Sequence, residues 1–334
     1  MDAKIYPLTF EPQFQDYIWG GRNLEKLFGR RLPPGIVAES WEISGHPKAP
    51  TRVDYGFWQG RTLPEVTDAL KEKLVGTRSE EMLKRGRFPL LIKLLDANRD
   101  LSVQVHPDDA YAQAHEGGEL GKTEMWYVLY AKPGTRLIYG LARGVTRRSF
   151  QEALSKGSLE TQLNYLPIAE GDTIFIPAGT VHALLAGTVV AEIQQNSDTT
   201  YRVYDWGRVG PDGKPRPLHI EKALEVINWS QIEPDKVTPQ RLEQRDGMER
   251  WLLVDCPQFT VEKVVLAEGA TFTGSCSGET FEIWGWIKGA GEVLWEGEPL
   301  RVEAVRFVLL PATLGAYSIQ SLAKSELLRA YIGR

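Results

Sequence analysis

The sequence predicts a mainly β protein built as two antiparallel jelly-roll units, with helices inserted into the first. Three observations carry that expectation. Short strand-like segments recur along most of the chain, separated by Gly, Pro, Asn and Asp. The 32 glycines and 20 prolines supply turns, and 10 Trp with 12 Tyr favour sheet over a helical bundle. Finally, the run Ile174-Phe175-Ile176-Pro177-Ala178-Gly179-Thr180-Val181-His182 is echoed by Val308-Leu309-Leu310-Pro311-Ala312-Thr313-Leu314-Gly315-Ala316-Tyr317, with the histidine missing. At 334 residues the chain exceeds what one core usually covers, so two domains are expected. These are placed at 1–235 and 245–334, with the polar, patternless segment Ile232 to Arg250 as linker.

In chain order, Tyr17 to Gly21 and Ala38 to Ser44 read as short strands or turns. Thr62 followed by Glu65 is a capping box, and Leu70, Leu74 and Val75 fit a helix ending at Gly76. Phe88 to Leu95 and Leu101 to Val105 read as strands joined by a hairpin connection, Asp96 to Asp100. Met125 to Ala131 and Thr135 to Leu141 form a second pair around Lys132-Pro133-Gly134, and Thr146 to Lys156 reads as a helix. Strands follow at Thr173 to Ile176, Val189 to Gln194 and Thr200 to Tyr204. Beyond the linker come Phe259 to Leu266, Thr280 to Lys288, Gly291 to Trp295, Val305 to Leu310 and Tyr317 to Gln320.

A formal charge of −5 and a pI near 5.7 argue against a nucleic-acid or membrane binder. No apolar run reaches membrane-spanning length and the first residues carry no signal-peptide core, so a cytoplasmic location is expected. In that compartment Cys256 and Cys276 are expected as free thiols.

Two patches concentrate the chemistry. The first is Ser102-Val103-Gln104-Val105-His106-Pro107-Asp108, the second runs from Gly171 to His182, and Lys122-Thr123-Glu124 lies between them. Residues two apart on a strand share a face, so Gln104 and His106 enter one interior while Val103 and Val105 face away. Glu124 opens the next strand, and the turn Pro177-Ala178-Gly179 lets His182 return to the same cavity. One amide oxygen, one carboxylate and two imidazoles make a four-ligand site for Zn²⁺ or a similar ion, with room for a substrate oxygen. Two of only five histidines fall in these patches. His115 reads as a surface residue, and His46 and His219 are given no role.

These phrases resemble the cupin superfamily and, within it, the type I phosphomannose isomerases. The likeness rests on Phe88 to Leu95, Leu101 to Asp108, Gly121-Lys122-Thr123-Glu124-Met125-Trp126-Tyr127, Ile176 to Ala183, and Glu192 through Gln195-Asn196-Ser197-Asp198 to Arg202. The run Gln-x-His-Pro-Asp followed by Lys-x-Glu-Met belongs to that family rather than to cupins at large. The resemblance implies one zinc held by Gln104, His106, Glu124 and His182, and an active-site arginine at Arg202. The long helical insertion of larger members is absent, as in the short bacterial form.

The implied reaction, interconversion of mannose 6-phosphate and fructose 6-phosphate, moves a carbon-bound proton between neighbouring carbons through an enediol(ate). Arg202, a planar permanent cation, suits the developing oxyanion. Glu192, Lys122 and a metal-bound water are all candidates for the base. Lys93 and Ser102 are candidates for the substrate phosphate, and Trp19 for the sugar pocket. A sugar-phosphate-binding regulator without turnover is the alternative class. The expected partner is a small sugar phosphate, on a monomer or homodimer.

Overall fold

In a computed structural model, residues 4–209 and 213–333 are described. The chain folds into two compact units, one made of residues 14–40 and 94–237, the other of 1–13, 41–93 and 238–334. This differs from a single cut between residues 235 and 245, because residues 1–13 and 41–93 group with the C-terminal strands. Backbone hydrogen bonds give the reason. Leu8 and Leu309 exchange two at 2.8 Å, Thr77 N–H donates to the Gly278 carbonyl at 3.0 Å, and Ala312 N–H donates to the Leu74 carbonyl at 2.9 Å.

Within those early residues, helix α1 (Leu63–Leu70) starts at the expected capping box. The Thr62 hydroxyl accepts from the Glu65 amide, and the Glu65 carboxylate accepts from the Thr62 amide. The helix does not run unbroken to Gly76. Lys71 takes φ 51°, and a separate turn, Glu72–Val75, follows. Leu70, Leu74 and Val75 are all buried across that break.

The unit of residues 14–40 and 94–237 is a sandwich. Its strands, some of which start outside the unit's limits, are β1 (Gln13–Gln15), β2 (Glu39–Ser44), β3 (Leu90–Ala97), β4 (Val103–Val105), β5 (Glu124–Ala131), β6 (Arg136–Leu141), β7 (Leu163–Pro167), β8 (Thr173–Ile176), β9 (His182–Ala183), β10 (Thr188–Gln195) and β11 (Tyr201–Tyr204). One sheet has the order β8-β5-β10-β3-β2-β1, the other β11-β4-β9-β6-β7. Both expected hairpins, β3 to β4 and β5 to β6, turn out to be crossings from one sheet to the other. The reason is visible in the first connection. Its amides serve other segments: Asn98 and Arg99 donate to the Trp19 carbonyl, and Leu101 to that of Leu184. The Lys132-Pro133-Gly134 turn forms as read, with Gly134 at φ 82°, but it is a corner between sheets.

Side-chain alternation sorts residues between two apolar layers. Leu137 and Tyr139 of β6 join Trp126, Val128, Ile174, Leu184 and Val190 in the layer between the sheets. Val103 and Val105 of β4, with Ile138 and Leu141 of β6, face outward and are covered by helices α2 (Arg147–Lys156) and α3 (Ile220–Val226) through Phe150, Ala223 and Leu224. Each fully buried aliphatic side chain contributes about 1.5–3 kcal/mol. Gln104, between Val103 and Val105, is thereby turned toward the interior.

The C-terminal strands are β12 (Gln240–Arg245), β13 (Met248–Asp255), β14 (Thr260–Leu266), β15 (Thr271–Cys276), β16 (Glu282–Lys288), β17 (Ala290–Leu294), β18 (Leu300–Glu303), β19 (Arg306–Leu310), β20 (Gly315–Ser321) and β21 (Ser325–Tyr331). They form two sheets, β12-β13-β14-β21-β16-β19 and β15-β20-β17-β18, closed on a core that includes Trp284, Trp286, Phe272 and Ile319. The segment read as a linker carries β12, an exposed edge strand that pairs with β13 across Asp246-Gly247. Its polarity comes from facing solvent, not from lack of structure. Cys256 and Cys276 are both unpaired thiols, and no helix among the described residues is long and apolar enough to cross a membrane.

Candidate metal centre and active site

β4 and β9 are neighbours, and their register sets His182 opposite Gln104. On the other side of β4, Arg202 of β11 is also opposite Gln104. Glu124 opens β5 between Ile176 of β8 and Gln194 of β10. His106 follows β4 directly. The return to His182 passes through Gly179 at φ 86°, where a Cβ would lie 2.9 Å from the Val226 carbonyl oxygen. Only glycine fits that turn without strain.

His106, Glu124 and His182 are buried, and their ligand-type atoms all lie within 4.8 Å of one another. His182 Nε2 is 3.2 Å from Glu124 Oε1, and His106 Nε2 is 3.7 Å from Glu124 Oε2. Both rings are aimed by their other nitrogen. His106 Nδ1 lies 2.9 Å from the Thr199 carbonyl oxygen, and His182 Nδ1 2.9 Å from that of Thr180. A carbonyl only accepts, so each Nδ1 carries a proton and each ring turns its Nε2 toward the carboxylate. Gln104 joins them, its Nε2 3.4 Å from His182 Nε2.

This donor set fits a divalent ion. His182 Nε2 faces, at 3.2 Å, a carboxylate oxygen that accepts no hydrogen bond among the described residues. Two acceptors in a dry site repel unless a proton or cation lies between them. Burial and the nearby Lys122 hold the His106 pKa well below its usual value, which keeps the ring in its ligand form. Burial pushes the Glu124 carboxyl up, but the Lys122 ammonium beside it outweighs that and holds its pKa well below the usual value. Two imidazoles with a carboxylate beside them suit a divalent metal ion.

The buried Lys122 reaches into this group. Its ammonium bonds Glu124 Oε2, lies 3.2 Å from His106 Nε2 and 3.9 Å from Glu192 Oε1. Glu192, on β10, accepts from the Trp126 indole N–H at 2.8 Å. Arg202 Nε donates to the Ser102 hydroxyl at 3.2 Å, and Ser102 reaches Gln104 Oε1 at 3.5 Å, so the arginine is tied to the ligand strand. Its Nη1 donates to the Pro217 carbonyl at 3.0 Å. Burial and the neighbouring Arg216 lower the Arg202 pKa, yet a guanidinium keeps its charge in proteins.

The structure thus gathers Ser102, Gln104, His106, Lys122, Glu124, His182, Glu192 and Arg202. The other two named residues have contacts of their own. Trp19 packs in the apolar layer and stacks on Tyr17 at 5.9 Å between centroids. Lys93 is buried in the unit of residues 41–93, its ammonium 4.7 Å over the Trp41 ring. His115 is exposed and stacked on Tyr111, as its sequence position implied. Sequence reading passed over His219, whose Nδ1 accepts from the Arg202 amide at 3.2 Å. It also passed over Arg208 and Arg216, which share the Asp205 carboxylate. The carbonyls of Thr180 and Thr199 carry no side-chain signal at all.

A family model described as phosphomannose isomerase type I, catalytic domain, matches residues 8–128. A probable mannose-6-phosphate isomerase of Bacillus subtilis, GmuF, is 39% identical over 315 residues, 94% of this chain and 96% of the relative. The mannose-6-phosphate isomerase ManA of the same organism is 36% identical over 318 residues, 95% and 97% of the two chains. The crystal structure of a mannose 6-phosphate isomerase from B. subtilis superposes with a TM-score of 0.87 at 34% identity, covering 97% of this chain and 99% of that one. Full-length similarity of this kind, joined to a buried His–Glu–His group, shows that the chain belongs to the type I phosphomannose isomerases.

Proposed function

We propose that this protein interconverts mannose 6-phosphate and fructose 6-phosphate, with one zinc ion held by Gln104, His106, Glu124 and His182. The observation that carries the reading is the buried His106–Glu124–His182 group, in which His182 Nε2 lies 3.2 Å from a Glu124 Oε1 that accepts no hydrogen bond among the described residues. A half-turn of the Gln104 amide would present its oxygen to the same point. When bound, zinc supplies Lewis-acid polarisation of the sugar's oxygens.

The remaining chemistry belongs to side chains. Glu192 is the better-placed base. It is a buried carboxylate fixed by the Trp126 indole, whereas the Lys122 ammonium is engaged by Glu124 and His106. Glu192 would take the proton from C2 of the aldose and return it to C1 through an enediol(ate), while O1 gains a proton and the O2 hydroxyl gives one up. Arg202 lies where a fixed planar donor can stabilise that oxyanion, and Lys122 adds a second positive charge near Glu192. Ser102, already bonded to Arg202, and Lys93 are assigned to the phosphate, and Trp19 to the wall of the sugar pocket. The low exposure of Lys122, Glu124, His106 and His182 keeps bulk water from quenching the intermediate. Matching strand orders in the two sandwiches support a second jelly-roll unit of the same kind without the histidine ligands.

A coupled assay with mannose 6-phosphate, on zinc-loaded and chelated protein, tests the reading. Turnover that needs the ion supports it. Saturable binding of the sugar phosphate without turnover would instead identify a regulator.

A further inference from the structure

We propose that the C-terminal unit carries the counterpart of the metal centre, in which the guanidinium of Arg329 permanently stands in for the ion. The inference rests on reading the first site as a metal centre. Apart from β11, which has no counterpart, the strand neighbours correspond. β8-β5-β10 is matched by β19-β16-β21, and β4-β9-β6-β7 by β15-β20-β17-β18.

The registers correspond as well. Glu124 pairs with Ile176, which precedes Pro177; Glu282 pairs with Leu310, which precedes Pro311. Each glutamate is followed two residues later by a buried tryptophan, Trp126 or Trp284. Trp126 pairs with Glu192, and Trp284 pairs with Arg329. On the facing sheet His182 pairs with Gln104, and Tyr317 pairs with Gly274. Two residues after Gln104 stands His106; two after Gly274 stands Cys276, which is buried.

What replaces the ligands is chemically coherent. Arg329 Nε donates to Glu282 Oε2 at 2.7 Å and Nη2 donates to Oε1 at 2.6 Å, a bidentate pair. The Trp284 indole N–H donates to Glu282 Oε2 at 3.0 Å, and the Tyr317 hydroxyl donates to the same oxygen. The Glu282 side chain is only 3% exposed, so its charge needs this compensation. Gly274 makes room, since a Cβ there would come within 2.4 Å of the Tyr317 hydroxyl oxygen. A positive group thus sits on the glutamate that matches Glu124, and a donor replaces the matching histidine.

If the guanidinium holds the place of an ion, removing it and restoring imidazoles should recreate a site. Cobalt(II) is titrated into the full-length parent and into Cys276→His/Tyr317→His/Arg329→Gln by equilibrium dialysis. The variant should bind one ion per chain more than the parent. The parent's own count reports on the first site, so failure there is distinguishable from failure here. A variant that keeps its near-ultraviolet tryptophan dichroism but gains no ion would overturn the inference. Should the triple variant not fold, Arg329→Met decides. Cobalt should raise its thermal midpoint by several degrees more than that of Arg329→Met/Glu282→Gln, and equal shifts would equally overturn the inference.

Discussion

His182 Nε2 lies 3.2 Å from Glu124 Oε1, and the ring's other nitrogen is already committed to the Thr180 carbonyl. The carboxylate is therefore the charged anchor of the proposed ion. Glu124→Gln preserves its shape and removes its charge. Zinc affinity should fall by at least about 100-fold, since even outer-shell changes cost roughly 10–100-fold, and kcat/KM should fall with it. Equilibrium dialysis with metal analysis checks this. Unchanged zinc retention in the variant would place the ion elsewhere.

Substitution of Lys122 should separate binding from turnover. Its ammonium touches Glu124 and His106 Nε2, so it competes electrostatically with any cation there. Lys122→Met should bind zinc at least as tightly as the parent while kcat drops by about 100-fold, in the range for loss of a charged group from an active site. The metal-free variant should also lose about 3–5 kcal/mol of stability, the usual result of leaving one charge of a buried pair uncompensated. Denaturant unfolding with and without zinc measures both effects. Weaker zinc binding in Lys122→Met would contradict this assignment.

How far the sequence could be read depended on the range of the interaction. Strand positions such as Thr173–Ile176 and the extent of helix α2 are set by neighbours in sequence, and they were legible. The inward turn of Gln104 followed from period-two alternation alone, because Val103 and Val105 supply the outward face. Sheet partners were not legible. A short turn such as Lys132-Pro133-Gly134 looks the same whether it closes a hairpin or carries the chain to the opposite sheet. Only remote bonds such as Leu101 to Leu184 decide the matter. The His106–Glu124–His182 group was readable because histidine is rare in this chain and these two histidines stand in distinctive patches. Its supports were not, since Thr180 and Thr199 act through backbone carbonyls that every residue possesses.

The α1 cap offers a pH-dependent test away from the site. Glu65 accepts from the Thr62 amide and hydroxyl and from Arg61, which lowers its pKa from 4.5 to about 2. A carboxyl with a depressed folded-state value makes the unfolded chain bind more protons as pH falls. Its contribution is therefore complete above pH 4.5 and fades as pH falls through about 2. The stability gap between parent and Glu65→Gln should be present at pH 7 and close across that window. Thr62→Ala should cost about 1 kcal/mol at neutral pH. Urea melts over a pH series follow both, and a gap that widened on acidification would contradict the box as the cause.

Arg202 is the remaining charged group tied directly to the ligand strand. Its Nε bonds Ser102 and its Nη1 bonds the Pro217 carbonyl, which fixes the plane of the guanidinium and leaves further N–H groups to face an oxyanion. A lysine keeps the charge but offers a point donor on a flexible stem, so it cannot hold Ser102 and Pro217 and face substrate together. The fold should tolerate the change, because Arg202 pairs with Gln104 and His219 through its backbone. Arg202→Lys should therefore keep its zinc and its melting temperature while kcat falls by about 100-fold or more, the scale of losing an oxyanion donor, with KM changing much less. Steady-state kinetics at saturating zinc separates the two constants. A variant with kcat within about threefold of the parent, a difference under 1 kcal/mol in barrier height, would show that the guanidinium serves the fold through Ser102 and Pro217 and not the reacting sugar.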